Sequence, residues 1–220
     1  MHNLTKAEED YIKAIFTLSY RGDDRKIGVN ELAEYLSVSP ASVNSMVKKL
    51  RVKGLIENKR YSKLNLSDQG KETALSLIRK HRLWETFLYK YLNFSWDEVH
   101  AVAEQLEHIK SVKLIDELDR FMKYPATDPH GDPIPQADGT LAQIKRSKLS
   151  ALPVGSECTI VSVRDGSVKF LQYISELGLV LSSQLTIERK RDFDGSIDIL
   201  SEGKIITLSE KAADNIFVQV

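Results

Sequence analysis
Four residues of metal-binding type, His100, Glu104, Glu107 and His108, fall within the short segment VHAVAEQLEHIK. Successive residues of an α-helix advance by about 100°, so spacings of three and four place all four side chains on one narrow face. Glu104, Glu107 and His108, completed by the carboxylate of Asp10, would form an oxygen-rich site with one imidazole nitrogen. Such donors suit Mn(II) or Fe(II) better than soft Cu(I), although affinity order alone favours Cu(II) and Zn(II). His81 and Glu85 form another i,i+4 pair in the preceding helical tract, where they can face His100 and make a second site. The ordinary role of a helical glutamate is solvation, and that of an acid near a helix start, such as Asp10, is to meet unpaired amide groups. Neither role accounts for the cluster.

The spacing differs from HExxH, and the chain shows no nucleophile elbow or phosphate-cradling glycine loop, so nothing here points to an enzyme. The sequence has 220 residues, formal charge +0 and one cysteine, Cys158. It is long enough for about one to three domains. A single cysteine excludes an intrachain disulfide framework and a zinc-finger cluster, and fits a reducing compartment. The start, MHNLTKAEEDYIKAIF, lacks the charged and apolar regions of a signal peptide, and no stretch is long enough to cross a bilayer. The chain reads as cytoplasmic, with no membrane partner. Neutral net charge argues against a uniformly basic coat but permits local patches. Between Lys48 and Lys63, the bases Lys48, Lys49, Arg51, Lys53, Lys59, Arg60 and Lys63 face one acid, Glu57.

The elements that must position these groups follow from caps and periodicity. Thr5 with Glu8 at N3 makes a capping box for a first helix whose apolar side carries Tyr11, Ile12, Ile15, Phe16 and Leu18. A loop around Gly22-Asp23-Asp24 ends it. A second helix runs from about Val29 to Leu36, and a third has Ser39 as N-cap, Pro40 at N1 and Gly54 as its close. Leu32, Ala33, Leu36, Val43, Met46, Val47 and Leu50 facing one core make this pair a helix-turn-helix. Ser39, Pro40, Ala41, Ser42, Asn44 and Ser45 then stand at the exposed start of a recognition helix, small enough to approach base edges. Lys48, Lys49 and Arg51 would meet phosphate, and LIENKRYSKLNLSDQG reads as two short strands forming a wing that carries Lys59, Arg60 and Lys63.

A long helix is expected after Gly70, then one from Ser95-Trp96 past His108 to about Lys110, continuing helically through SVKLIDELDRFM. The prolines of YPATDPHGDPIPQADG end this helical region. ECTIVSV, QLTIERK, SIDILSEG, KIITLS and NIFVQV are β-type runs, interrupted by the short helix FLQYISELGL and consistent with a small barrel. The expected fold class is therefore multidomain α+β. Residues 1–72 are read as a winged helix-turn-helix, 73–140 as a helical metal-binding and dimerisation domain, 141–152 as a linker and 153–220 as a β-rich domain.

The strings EDYIKAI, VSPASVNSMVKKL, YSKLNLSDQG, KHRLWETFL, HAVAEQLEH and PHGDPIP make nearly the whole chain resemble the diphtheria toxin repressor family of metal-dependent repressors. The resemblance is strongest to the manganese-responsive branch with a C-terminal SH3-like domain. It implies a primary regulatory site of Asp10, Glu104, Glu107 and His108, and a second site of His81, Glu85 and His100, with Asp128, His130 and Asp165 as auxiliary ligands. Asp128 departs from the cysteine of some relatives. Lys13 stands where certain two-domain manganese sensors supply an acid, which argues against their paired-ion arrangement. Glu104, where iron-responsive relatives use cysteine, favours manganese. The implied protein is a homodimer that binds palindromic operator DNA and represses metal-uptake genes when Mn(II) is abundant. Alternatives are an iron-responsive repressor using Fe(II), a winged-helix regulator gated by a non-metal ligand, and a metal-storage protein. Other divalent transition metals are expected to bind in vitro.

Overall fold
In the computed structural model, which describes residues 4–20, 27–57, 64–164 and 167–220, the first helix starts at the reciprocal cap that the sequence predicts. The Thr5 amide donates to Glu8 Oε2 at 2.9 Å, and the Glu8 amide donates to Thr5 Oγ1 at 3.3 Å. Helix α1, Lys6–Tyr20, buries Tyr11, Ile12, Ala14 and Ile15. Helix α2 is Val29–Tyr35 and α3 is Pro40–Val52, where Ser39 Oγ accepts from the Ser42 amide. Leu32, Val43, Val47 and Leu50 join the α1 residues in one core with Leu55, Ile56, Leu64 and Leu66. Isolated antiparallel bridges pair Ile56 with Leu66 and Ile27 with Leu64. The expected wing bases Lys59, Arg60 and Lys63 lie outside the described residues.

Helix α4, Asp68–Tyr91, begins before Gly70 rather than after it, because Ser67 Oγ accepts from the Gly70 amide. Gly70 lets the first turn press onto the preceding backbone: a Cβ there would lie 2.1 Å from the Leu55 carbonyl oxygen. The chain divides into two units, the first comprising Met1–His81, Leu106–Ser111 and Pro135–Leu141. The second comprises Arg82–Gln105, Val112–Ile134 and Ala142–Val220.

Helix α5, Val99–Leu106, ends earlier than the residue types suggest, and α6 is a separate helix, Val112–Phe121. The Ile109 amide bonds to the Leu106 carbonyl at 3.1 Å, so Glu107 and His108 sit in a turn rather than on a continuing helical face. In the second unit, Leu83, Ile115, Leu118, Met122 and Ile134 form a small core with Trp84 and Phe87.

The β-rich part of the second unit is an antiparallel sheet of β1 Ser147–Lys148, β2 Glu157–Val163, β3 Gln184–Lys190, β4 Ile197–Ser201, β5 Lys204–Leu208 and β6 Ile216–Gln219. The spatial order is β1-β6-β2-β3-β4-β5. Irregularities at Ile160/Ser162 and Ile187/Arg189 interrupt the register, as bulges that curl a sheet do. The stretch read as a linker contributes β1, which pairs with β6. Helix α7, Val168–Glu176, and the short α8, Glu210–Ala213, pack with Leu171, Ile174, Ala212 and Ala213 in the sheet's core. No helix among the described residues is long and apolar enough to cross a membrane.

The DPHGDPI loop is tied to β2: the Val163 amide bonds to the His130 carbonyl at 3.0 Å. Gly131 adopts φ +84, and a Cβ there would lie 2.0 Å from the Val161 carbonyl oxygen. Gly131→Ala should therefore destabilise the protein by at least about 2–3 kcal/mol, combining left-handed strain with overlap. Gly155→Ala, at the same φ with nothing within 4 Å, should cost only about 1–2 kcal/mol. Thermal melts of the two variants side by side test whether the close approach dominates.

Candidate metal centres
In the first unit, ligand atoms of Asp10, Glu107 and His108 lie within 4.8 Å of one another. His108 Nε2 is 3.2 Å from Asp10 Oδ1 and 3.9 Å from Glu107 Oε1. Its Nδ1 lies 2.6 Å from Glu9 Oε2. A carboxylate accepts rather than donates, so the neutral ring carries its proton on Nδ1 and turns the Nε2 lone pair toward Asp10 and Glu107. Glu107 Oε1 and His108 Nε2 are buried without a hydrogen bond among the described residues. Buried polar atoms without partners are costly. A cation among these oxygen and nitrogen donors would satisfy them, so the residues present fit a divalent metal.

The other oxygen of Glu107 is already engaged. Glu107 Oε2 accepts from Lys13 Nζ at 2.6 Å and lies 2.6 Å from His81 Nδ1. Burial acts to raise the pKa of this carboxyl, but the His81 hydrogen bond and the Lys13 charge outweigh it and hold it below the usual carboxylate range. The lysine that departs from an acidic ligand thus serves as a resident cation. Glu104, expected in this group, has its Oε1 3.5 Å from His100 Nε2. The helix expected to run past His108 stops at Leu106, so Glu107 and His108 do not continue the helical face that carries Glu104. Glu9 was not anticipated; its adjacency to Asp10 was the one local signal.

In the second unit, Glu85, Asp128 and His130 are all buried and also bring ligand atoms within 4.8 Å of one another. His130 Nδ1 is 3.8 Å from Glu85 Oε2, and Arg82 Nε is 3.4 Å from Asp128 Oδ2. Burial, reinforced by the Glu85 and Asp132 charges and opposed by Arg82 and His130, pushes the Asp128 carboxyl up to about 8. Asp128 Oδ1 accepts from the His130 and Asp132 amides at 2.9 and 3.0 Å, which shapes the loop. Asp128 Oδ2 is buried without a hydrogen bond among the described residues, so a cation would fit here as well. Of the expected second-site residues, His100 Nδ1 lies 3.2 Å from Glu85 Oε1, and His81 Nδ1 lies 2.6 Å from Glu107 Oε2. Asp128 and His130, expected as auxiliary ligands, stand with Glu85 at the centre of the group. Asp165 lies outside the described residues.

On α3, Pro40, Ala41, Ser42, Asn44, Ser45, Lys48 and Lys49 are exposed along with the N-cap Ser39. Val43, Val47 and Leu50 occupy the opposite, buried side. Arg51 is half-buried with its Nε enclosed, so it stands less freely toward a phosphate than the lysines. Lys53 is engaged by Glu8 at 2.7 Å.

A helix-turn-helix with an exposed recognition face, buried carboxylate-histidine groups and a terminal β-rich domain define a metal-responsive DNA-binding regulator. Residues 3–64 match the iron dependent repressor N-terminal DNA binding domain, and residues 67–136 match the iron dependent repressor metal binding and dimerisation domain. Residues 147–220 match the FeoA domain. A solved manganese-dependent transcriptional repressor in complex with manganese is 35% identical, with TM-score 0.90 over 96% of this chain and 98% of that one. The manganese regulator SloR is 34% identical, with TM-score 0.81 over 96% of this chain and 97% of its own. The iron-dependent repressor IdeR of Mycobacterium leprae is 28% identical over 100% of this chain and 99% of that protein. The chain belongs to the diphtheria toxin repressor family of metal-dependent transcriptional repressors, which act on DNA and are not enzymes.

Glu107 has no exposed side-chain surface, so removing one of its partners leaves a poorly compensated buried charge. Lys13→Met should lower stability in chelator by about 1–3 kcal/mol. Lys71→Met, which breaks an exposed i,i+3 pair with Asp68, should leave it nearly unchanged. Urea unfolding in EDTA makes the comparison.

Proposed function
We propose that this chain is a manganese-dependent repressor of metal-uptake genes, acting in the cytoplasm as a homodimer on a palindromic operator. The carrying observation is the Asp10, Glu107 and His108 group, whose buried Glu107 Oε1 and His108 Nε2 make no hydrogen bond among the described residues. These residues would hold the ion. When bound, Mn(II) supplies a double positive charge among otherwise repelling carboxylates. Manganese is supported by the oxygen and nitrogen donors and by the sole cysteine, Cys158, lying buried in the β-rich core, where it offers no thiolate to either group. Glu104 is read as a further ligand of the first site, and His81, Glu85 and His100, with Asp128 and His130, as ligands of the second.

The chain's own residues transmit the event. Asp10 immediately precedes Tyr11 and Ile12, which pack in the core that holds Val43, Val47 and Leu50 of the recognition helix. Holding Asp10 therefore restrains α3 through close-packed side chains. Ser39, Pro40, Ala41, Ser42, Asn44 and Ser45 face base edges, and Lys48, Lys49 and Arg51 meet phosphate with the wing bases Lys59, Arg60 and Lys63. A two-fold dimer presents two such helices to two half-sites. Self-association is supported by an aromatic patch on the second unit. Phe87 stacks on Tyr91 at 5.6 Å, and Phe121 packs on Tyr91 at 5.0 Å, yet Tyr91 and Phe121 remain exposed.

The same donors also accept Fe(II), and the full-length likeness to IdeR favours iron as the second reading. Anaerobic DNA binding at defined free Mn(II) and Fe(II), on an operator selected from random duplexes, separates the two. Mn(II) should tighten binding by about 5–150-fold, and Asp10→Ala/His108→Ala should abolish the gain without unfolding the dimer. Equal operator binding with and without metal would sink the proposal, and a response to Fe(II) alone would replace manganese with iron. Phe121→Glu should shift the protein to a monomer in sedimentation; an unchanged dimer would move the interface off this patch.

A further inference from the structure
We infer that Trp96 is the positioning residue of the second metal site, orienting His130 so that it offers Nδ1 to a metal. The inference rests on the reading of Glu85, Asp128 and His130 as a metal site. His130 Nε2 lies 2.7 Å from the Trp96 carbonyl oxygen. A carbonyl only accepts, so Nε2 carries the hydrogen, and in the neutral ring the lone pair is on Nδ1. That atom faces Glu85 Oε2 at 3.8 Å. The Trp96 indole also lies against the imidazole, with ring centroids 6.1 Å apart and planes inclined by 23°. One residue thus sets both the tautomer and the ring plane of a ligand.

Trp96 is itself fixed from the β-rich domain. Its Nε1–H donates to Ser175 Oγ at 2.7 Å, and that hydroxyl donates onward to the Leu171 carbonyl at 3.0 Å. Both bonds are compatible because the serine oxygen accepts while its hydrogen is used elsewhere. Next to Trp96, Asp97 Oδ2 accepts from Gln172 Nε2 at 3.0 Å, and the indole packs against the core that contains Leu171 and Ile174. The turn carrying both residues is closed by Ser95, whose amide and hydroxyl each donate to Glu98 Oε2. Helix α7 therefore reaches a metal ligand through Ser175 and Trp96. Partners that orient a metal-bound histidine in this way typically change metal affinity about 10–100-fold when removed.

Selective 15N labelling resolves the tautomer without metal, since the chain has five histidines. In the intact protein His130 should be the Nε2–H tautomer. The main-chain carbonyl survives every substitution, so Trp96→Ala, which removes the indole that anchors it, should mix the tautomers, while Trp96→Phe and Ser175→Ala, which keep an aromatic ring and lose only the Nε1–H bond, should both retain most of the preference. Calorimetric titration with Mn(II) should then show the second site weakened about 10–100-fold in Trp96→Ala, with first-site affinity unchanged. A second readout is quenching of Trp96 fluorescence by Mn(II) in a Trp84→Phe background, where Trp96 is the remaining tryptophan. If intact protein binds two ions and Trp96→Ala alters neither the tautomer nor second-site affinity, the positioning role is overturned while the site stands. If intact protein binds one ion and His130→Ala changes nothing, the metal site is overturned and the inference goes with it.

Discussion
A carboxylate with no exposed surface must be paired or lose its charge, and Glu107 satisfies this requirement with its two oxygens divided. Lys13 and His81 claim Oε2, whereas Oε1 is turned toward His108. This division keeps the group ionised and places one oxygen of fixed direction beside Asp10. Without Lys13, His81 alone would oppose the effect of burial, shifting the balance toward the protonated acid, a poorer ligand for a hard cation. The first metal group depends on that internal ion pair as much as on its ligands.

The second group reaches a similar density of donors by a different route. Its carboxylates come from α4 and from a loop folded around Asp128, and the guanidinium of Arg82 approaches Asp128 from the helix. Arg82 also pairs with Asp132, and Arg146 pairs with Asp132 at 2.7 Å while reaching Ser162 on β2. Charge on the loop is thus matched from the helix on one side and the β-rich domain on the other. These pairs add to the amide bonds that Asp128 Oδ1 accepts and to the packing of Ile134 in the small core.

Local rules carried the fold a long way. Thr5 with Glu8 and Ser39 with Pro40 are caps whose partners lie within three residues, and the β-branched runs at β2, β3 and β4 mark strands by composition and flanking turns. The end of α5 was not legible, since QLEHIKS contains no glycine or proline and its residue types continue the helical spacing while the chain turns. Asp10, Glu107 and His108 were recognisable as ligand types, yet Glu9 was hidden because its partner is 99 residues away. Glu85 joining Asp128 and His130, and Trp96 meeting His130, depend on the course of a proline-rich loop that no periodicity describes.

Whether metal can switch such a molecule depends on the energy of the empty arrangement. Two carboxylates held within 4.8 Å, as Asp10 and Glu107 are, repel by roughly 3 kcal/mol at the effective dielectric of a partly buried site. Lys13 offsets part of this but lies on the far oxygen of Glu107. The residual repulsion is comparable to the approximately 1–3 kcal/mol of a typical allosteric coupling. A divalent ion between Asp10 and Glu107 would offset this repulsion and favour the arrangement in which the two carboxylates approach. Because Asp10 adjoins Tyr11 and Ile12, which share a core with Val43, Val47 and Leu50 of α3, that relief would reach the recognition helix through close-packed side chains.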